Sequence, residues 1–205
     1  MTDTITRFAP SPTGNLHLGS ARTALINFII SQQSPKSKFF LRIEDTDKVR
    51  SEEKYKSNIL ESLTWLGINW DSEPQIQSKQ INKHKEIANI LLNNGNAYKC
   101  ICSEKILKER RDYFKKSNIK NKKICTSCKK DLSIQQSSSN YAVRINIPIE
   151  GVTEINDIVQ GRIVTKNEEI DDYIILRNDG TPTYMLSVVV DDYNLGINFI
   201  IRGSD

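Results

Sequence analysis

No run of apolar residues in this 205-residue chain is long enough to cross a bilayer. The opening MTDTITRF has neither the apolar core nor the cleavage signal of a secretory leader, so a cytoplasmic location is expected and export is not. Cysteine is scarce, and four cysteines without export point to reduced thiols or a metal rather than disulfides. The GxxxxGK[ST] loop is missing and the glycines fail the GxGxxG spacing, which excludes two common phosphate-binding fingerprints. No internal repeat is present. Strong charge is absent too: a net +4 permits an anionic partner without demanding one. What remains, 38% apolar and 26% charged residues, suits one globular domain or a domain carrying an insertion.

ITRFA is expected as a short strand broken by Pro10 and Pro12. From Leu18, the positions Leu18, Ala21, Leu25, Phe28 and Ile29 trace a helical stripe. FFLRIED alternates Phe39, Leu41 and Ile43 against partly polar neighbours, the pattern of a strand running into an acidic loop. Ser51 can cap a helix with Glu52 and Glu53 in its first turn, Tyr55, Ile59, Leu63 and Leu66 on its buried face, and Gly67 as its stop. A polar loop with Trp70 and Pro74 leads to another helix, with Ile81, His84, Ile87 and Leu91 on one face and Gly95 at its end. The order strand, helix, strand, helix, helix favours an α/β layer with parallel strands.

The texture then changes. Residues 100–130 are strongly basic and hold all four cysteines, and SIQQSSSN reads as a polar linker. YAVRINIPI and GRIVTK are expected as strands of a small separate sheet. DYIILRNDGTPTY reads as a strand followed by a turn at Asn178-Asp179-Gly180. MLSVVVDDYNLGINFIIRGSD is apolar enough to rejoin a core, with an apolar strand before its final Arg-Gly turn. Residues near 97–175 therefore read as an insertion.

Three constellations bear on chemistry. RFAPSPTGNLHLGSARTALINF places a Gly- and Pro-bearing loop between a strand and a helix start, where unpaired N–H groups and the helix dipole favour an anion. Gly14 and Gly19 permit close approach, and His17 can donate to a phosphate oxygen; the plainer reading is an ordinary turn with His17 as a polar cap. Asp45-Thr46-Asp47 could hold a divalent metal over a nucleotide-sugar diphosphate, and Asp191-Asp192 could ligate Mg²⁺, although such acidic pairs more often cap or pair locally. Cys100-Ile101-Cys102 and Cys125-Thr126-Ser127-Cys128 are two close pairs separated by a basic stretch, which reads as a four-thiolate zinc site. Four reduced cysteines are the alternative.

RFAPSPTGNLHLGSARTAL resembles the opening of glutamyl-tRNA synthetases, which are class I aminoacyl-tRNA synthetases, with HLGS where that class carries its HIGH signature. FFLRIEDTDKVRS, LTWLGINWDSEP, GNAYKCICSE, DGTPTYMLSVVVDD and GINFIIRGSD are similar to the family in the family's order, so the resemblance covers the whole chain. It implies an α/β, Rossmann-type parallel sheet, with residues 1–96 as the first half of the catalytic domain, 97–175 as an inserted, zinc-bearing acceptor-stem subdomain, and 176–205 as a return cut short. It implies Gly14, His17 and Gly19 against ATP, with Mg²⁺, and His17 and Gly19 as the catalytic turn. Arg7, Ser11, Glu44, Tyr184 and Arg202 match residues that hold L-glutamate: guanidinium for carboxylate, and Glu44 for the ammonium. From the residues alone, a structural ion pair between Arg7 and Glu44 stays open.

The same resemblance raises the zinc expectation at Cys100, Cys102, Cys125 and Cys128. It makes the basic stretch, with Tyr113 and Phe114, a surface for the acceptor end of a glutamate-accepting tRNA. A monomer is expected, with no membrane partner. The family's KMSKS loop and anticodon-binding region lie beyond the similar part, so weak or absent activation is expected of this length alone, and a non-catalytic, zinc-stapled tRNA-binding module is the alternative. Val188 departs from a polar pocket residue that some relatives carry.

Overall fold

The computed structural model describes residues 3–47, 50–117, 123–136 and 140–203. Parts of the basic stretch, of the SIQQSSSN linker, of the segment after Asp47 and of the closing Arg-Gly-Ser-Asp lie outside the described residues. The chain divides into two units, one of residues 1–82 with 188–205 and one of residues 83–187.

The first unit is a parallel α/β layer. β1 (Ile5–Phe8), β2 (Lys38–Ile43) and the two-residue β3 (Gln75–Ile76) form a sheet in that order. Both pairings are parallel, with Arg7 opposite Phe40 and Arg42 opposite Gln75. α1 (Leu18–Ser31) connects the first two strands, and α2 (Glu53–Trp65) lies between β2 and β3. Phe8, Phe39, Leu41, Ile43, Ile59, Leu63 and Ile68 form the core between sheet and helices. Consecutive residues of β1 and β2 are buried whichever face they point to, as in a parallel strand covered on both sides, and that includes the polar Thr6, Arg7 and Arg42. Gly67 ends α2 with φ +74°, a conformation that residues with a Cβ adopt only with strain.

Four local expectations need correcting. α1 turns Ala24, Asn27 and Ser31 inward, while Leu18 is 86% exposed and Leu25 and Ile29 also face out. The small and polar side chains win because they let the helix approach the sheet: Thr6 Oγ1 donates to the Asn27 carbonyl at 3.0 Å. Ser51 is not the cap of α2; Glu52 holds that position without a side-chain bond. The Asp47 carbonyl instead accepts from the Ser51 N–H at 2.9 Å. β3 falls in the stretch expected as loop, which is polar and pairs over only two residues. The closing FIIRGSD is not a regular strand among the described residues; the backbone N–H groups of Asn198 and Phe199 both donate to the Ile5 carbonyl at 3.2 Å, following the β1 edge.

The second unit contains an antiparallel sheet of β4 (Ala97–Cys100), β5 (Ala142–Ile145) and β8 (Ile174–Leu176), in that order. β6 (Val152–Asp157) and β7 (Gly161–Lys166) form a separate two-stranded hairpin. YAVRINIPI and GRIVTK therefore belong to two different sheets rather than one. α3 (Ile81–Asn93) precedes β4, and Gly95 at φ +71° ends it. α4 (Glu104–Lys116), α5 (Thr126–Lys130) and α6 (Leu132–Gln136) surround a small core of Tyr98, Cys100, Leu107, Ile124, Cys125 and Cys128. Cysteines thus supply much of what this cluster has for a core. α7 (Tyr184–Leu195) is the element formed by the apolar MLSVVVDDY segment. Among the described residues no helix is long and apolar enough to cross a membrane.

Candidate active site and metal centre

In the first unit a charged cluster sits on the sheet. Arg7 on β1 is 5% exposed; its Nε donates to Asp192 Oδ1 at 3.1 Å and its Nη1 to the Ile201 carbonyl at 3.4 Å. Arg42 on β2 is fully buried. Its Nη1 donates to the same Asp192 oxygen at 2.5 Å, and its Nη2 and Nε reach Glu44 Oε1 at 3.1 and 3.3 Å. A buried cation must be paired, and here two guanidinium groups share one carboxylate while a second carboxylate holds Arg42. Glu44 is held where β2 gives way to loop, its N–H donating to the Pro10 carbonyl at 2.9 Å. Burial pushes the Glu44 carboxyl above its usual value of 4.5, with Arg42 and then Arg7 pulling it back.

Arg7 and Glu44 come into one cluster, but not as a direct ion pair: each takes another partner, Asp192 and Arg42 respectively. The hydrogen bonds from Arg42 to Glu44 both fall on Oε1, and Arg7 spends Nε and Nη1. Glu44 Oε2 and Arg7 Nη2 thus have no hydrogen bond to a described residue. Sequence reasoning missed Arg42 as the residue binding the cluster together. Its signal was a basic residue inside a strand otherwise apolar enough to be buried on both sides.

The remaining expected residues are more dispersed. Arg202 is exposed and follows Ile201, whose carbonyl accepts from both Arg7 and Asn27. Ser11 is exposed in the loop after β1, and its carbonyl accepts from the Thr13 N–H at 2.9 Å. Tyr184 opens α7, is half exposed and belongs to the second unit. Val188 is half-buried on the same helix. Asp192 is an ion-pair partner rather than a metal ligand, and Asp191 accepts from Gln77 Nε2 at 2.9 Å. The acidic loop is likewise spoken for: Asp45 accepts from the Ser78 N–H and hydroxyl at 2.8 and 2.6 Å, and Asp47 pairs with Arg50 at 2.7 Å. That is local pairing, not the open acidic pair a nucleotide-sugar transferase would need.

His17 is the N-cap of α1. Its Nδ1 accepts from the Ser20 N–H at 3.3 Å, and its Nε2 lies 3.0 Å from Ser20 Oγ. With Nδ1 accepting, the ring proton is assigned to Nε2, where the Ser20 hydroxyl is its acceptor. A Cβ at Gly19 would stand 3.2 Å from the His17 ring, so glycine there lets the imidazole lie across the helix start. Gly14 has open space around it. Leu16, His17, Leu18, Asn58, Trp65 and Leu66 line a hollow of about 470 Å³ between the two helices.

In the second unit the four cysteine sulfurs all lie within 4.8 Å of one another. Cys125 Sγ is 3.2 Å from Cys100 and 3.5 Å from Cys102, and Cys102 is 3.5 Å from Cys128. Four sulfurs about 2.3 Å from a tetrahedral zinc stand roughly 3.8 Å apart, so the donor set and its compactness fit that ion. β4 runs out at Cys100, Ser103 caps α4 through the Ile106 N–H, and Cys125 precedes α5, so the three elements converge their cysteines. Without metal, the bond from the Cys125 thiol pulls Cys100 down to about 5, burial pushes Cys102 up to about 11, and Cys125 is raised by the bond it gives Cys100. Phe114 packs into this cluster, which leaves Tyr113 as the exposed aromatic of the basic helix.

A Rossmann-type parallel sheet whose first strand turns into a histidine-capped helix, with an acid–guanidinium cluster on its strands, is the architecture of an α/β catalytic domain. More narrowly, the chain belongs to the family described as tRNA synthetases class I (E and Q), catalytic domain, whose model matches residues 3–205. It is 48% identical over 208 residues to Glutamate--tRNA ligase 1 of Orientia tsutsugamushi, covering 100% of this chain and 43% of that protein. It is 47% identical to Glutamate--tRNA ligase 2 of Ehrlichia chaffeensis, covering 98% of the chain and 42% of that protein. The crystal structure of a glutamate tRNA ligase from Elizabethkingia meningosepticum, in complex with its amino acid, matches with a TM-score of 0.83 at 28% identity, over 98% of this chain and 44% of that one. The chain thus spans under half the length of these relatives.

Proposed function

We propose that this chain carries the glutamate- and ATP-binding part of a glutamate–tRNA ligase, an enzyme that forms glutamyl adenylate from ATP and glutamate and passes the glutamyl group to tRNA. The support is the convergence of Arg7 and Glu44 in one buried cluster, each with an atom left over for a ligand. A free amino acid with an acidic side chain needs that pair of complementary groups: a guanidinium for a carboxylate, and a carboxylate for the ammonium. Arg202 and Ser11 complete the pocket in this reading, and Tyr184 is a further glutamate-binding candidate on the strength of the family motif alone. Glutamate is held by groups that are already desolvated and already oriented, so little reorganisation opposes the reaction.

His17, Gly14 and Gly19 receive ATP, with Mg²⁺ on its phosphates. The His17 Nε2–H exchanges its Ser20 hydroxyl partner for an α-phosphate oxygen as charge builds there. No covalent enzyme intermediate is needed; positioning and electrostatics supply the rate. Cys100, Cys102, Cys125 and Cys128 hold a structural Zn²⁺, which staples β4, α4 and α5. α4, carrying Lys105, Lys108, Arg111, Lys115 and Lys116, faces the phosphates of the tRNA end. The protein acts in the cytoplasm as a monomer.

A second reading keeps the tRNA binding and drops the catalysis, favoured by the second unit having a core and basic helix of its own. Glutamate-dependent pyrophosphate exchange, with and without tRNA, separates them. Exchange that needs glutamate supports the first; tRNA binding without exchange and without glutamate binding supports the second.

A further inference from the structure

We propose that Arg110 and Arg144 are built into the cysteine cluster as its charge-balancing partners, donating N–H groups to the Cys102 and Cys100 sulfurs when these are metal-bound thiolates; the proposal rests on the zinc reading of the four cysteines. Arg144 lies on β5 and is 2% exposed. Its Nη1 donates to the Asp172 carbonyl and stands 3.7 Å from Asp171 Oδ2, a long approach for an ion pair. Its Nε is buried without an acceptor among the described residues. The carboxylate that should neutralise it, Asp172, is already engaged by Lys123 at 2.6 Å and by the Tyr98 hydroxyl at 3.2 Å. A desolvated guanidinium therefore has one distant carboxylate, and the β4–β5 register, with Tyr98 opposite Arg144, puts Cys100 two residues further on the same face of the sheet as a diagonal neighbour of Arg144. A neutral thiol is a poor answer to such a cation. A thiolate is a good one, because charge-assisted hydrogen bonds are about twice as strong as neutral ones.

Arg110 reaches the cluster from another element. Its Nη1 stands 3.8 Å from Cys102 Sγ, held there by the Ile124 carbonyl at 2.9 Å, and its Nη2 donates to Ser127 Oγ at 3.2 Å. Those two anchors lie in the segment that carries Cys125 and Cys128, so α4 fixes the guanidinium to the second cysteine pair as well as to Cys102. Four thiolates around a dication carry two net negative charges. Two guanidinium groups, one from β5 and one from α4, match that charge in number and sit on two different sulfurs. Outer partners of this kind set ligand basicity and hold geometry, and their loss typically weakens a metal site by roughly 10- to 100-fold.

The test is zinc release and cobalt spectroscopy on the full 205-residue chain. Zinc-loaded protein is challenged with a coloured chelator, and Co²⁺-substituted protein is scanned for its sulfur-to-metal charge-transfer band. Arg110→Gln should release zinc roughly 10- to 100-fold faster and shift the cobalt band, with far-ultraviolet circular dichroism unchanged. Arg110→Lys, which keeps the charge, should fall between that variant and the parent chain. Arg144→Gln should act in the same direction, and because Arg144 is buried the Arg110 pair decides the matter if that variant does not fold. A chain that takes up Co²⁺ but shows the same release rate and band in Arg110→Gln overturns the proposal alone. A parent chain that takes up neither ion overturns the zinc reading and the proposal with it.

Discussion

Asp192 accepts from two buried guanidinium groups at once, Arg7 and Arg42, and so holds β1 and β2 to one charge pattern. Removing it leaves both cations desolvated and short of a partner. Asp192→Ala should therefore cost about 3–5 kcal/mol, read by urea denaturation. Glu44 acts on binding instead. Its carboxyl sits above the usual 4.5 because burial penalises the charged form. The ionised form is the one that meets an ammonium, so glutamate affinity should fall as pH drops towards 4.5, earlier than an exposed carboxylate would cause. Stability moves the other way: a carboxyl raised on folding adds stability below its unfolded value and loses it as pH rises through its folded one. Titration calorimetry across that window reads the first trend and thermal unfolding the second. That Arg7 and Glu44 meet in one cluster was legible in the sequence, through family motifs and charge. Arg42 and Asp192 were not, because their roles depend on which distant side chains meet in the interior, and sequence spacing does not carry that.

At the scale of elements, the expected strands and helices of the first unit form where apolar pattern and glycine stops agree. The failures have physical causes. α1 presented an apolar stripe, yet its sheet-facing side is Ala24, Asn27 and Ser31, because close helix–sheet approach and a hydrogen bond to Thr6 outweighed the stripe. β3 is too short and too polar to give a period. In the second unit β5 and β7 look alike in sequence, and their partners are set by long-range pairing that alternation does not encode. The elements that carry the four cysteines are the most exposed to perturbation, since Cys100, Cys125 and Cys128 are themselves core. Stripping metal with a strong chelator should raise amide hydrogen exchange in β4, α4 and α5 and leave β1 and β2 protected; equal protection with and without chelator would contradict that. Replacing Lys105, Lys108, Arg111 and Lys115 by glutamine should weaken tRNA binding and flatten its dependence on salt, with the logarithmic slope falling by about one for each phosphate no longer neutralised.

The whole molecule consists of two units with separate cores, and the proposed chemistry is divided between them. Strands of the first unit carry the charged cluster and the histidine-capped turn; the second unit carries the cysteine cluster and the basic helix. Because the chain spans under half the length of its relatives, ligand binding reports on its site more directly than turnover does. The central claim is that Arg7 and Glu44 grip one free glutamate next to an adenylate. Isothermal titration with a non-hydrolysable glutamyl-adenylate analogue tests it: the parent chain should bind, Arg7→Ala and Glu44→Gln should each lose at least tenfold in affinity, and an analogue lacking the amino group should lose its sensitivity to Glu44→Gln. Binding that is equal in the parent chain and both variants, or absent from a folded parent chain, would contradict the account.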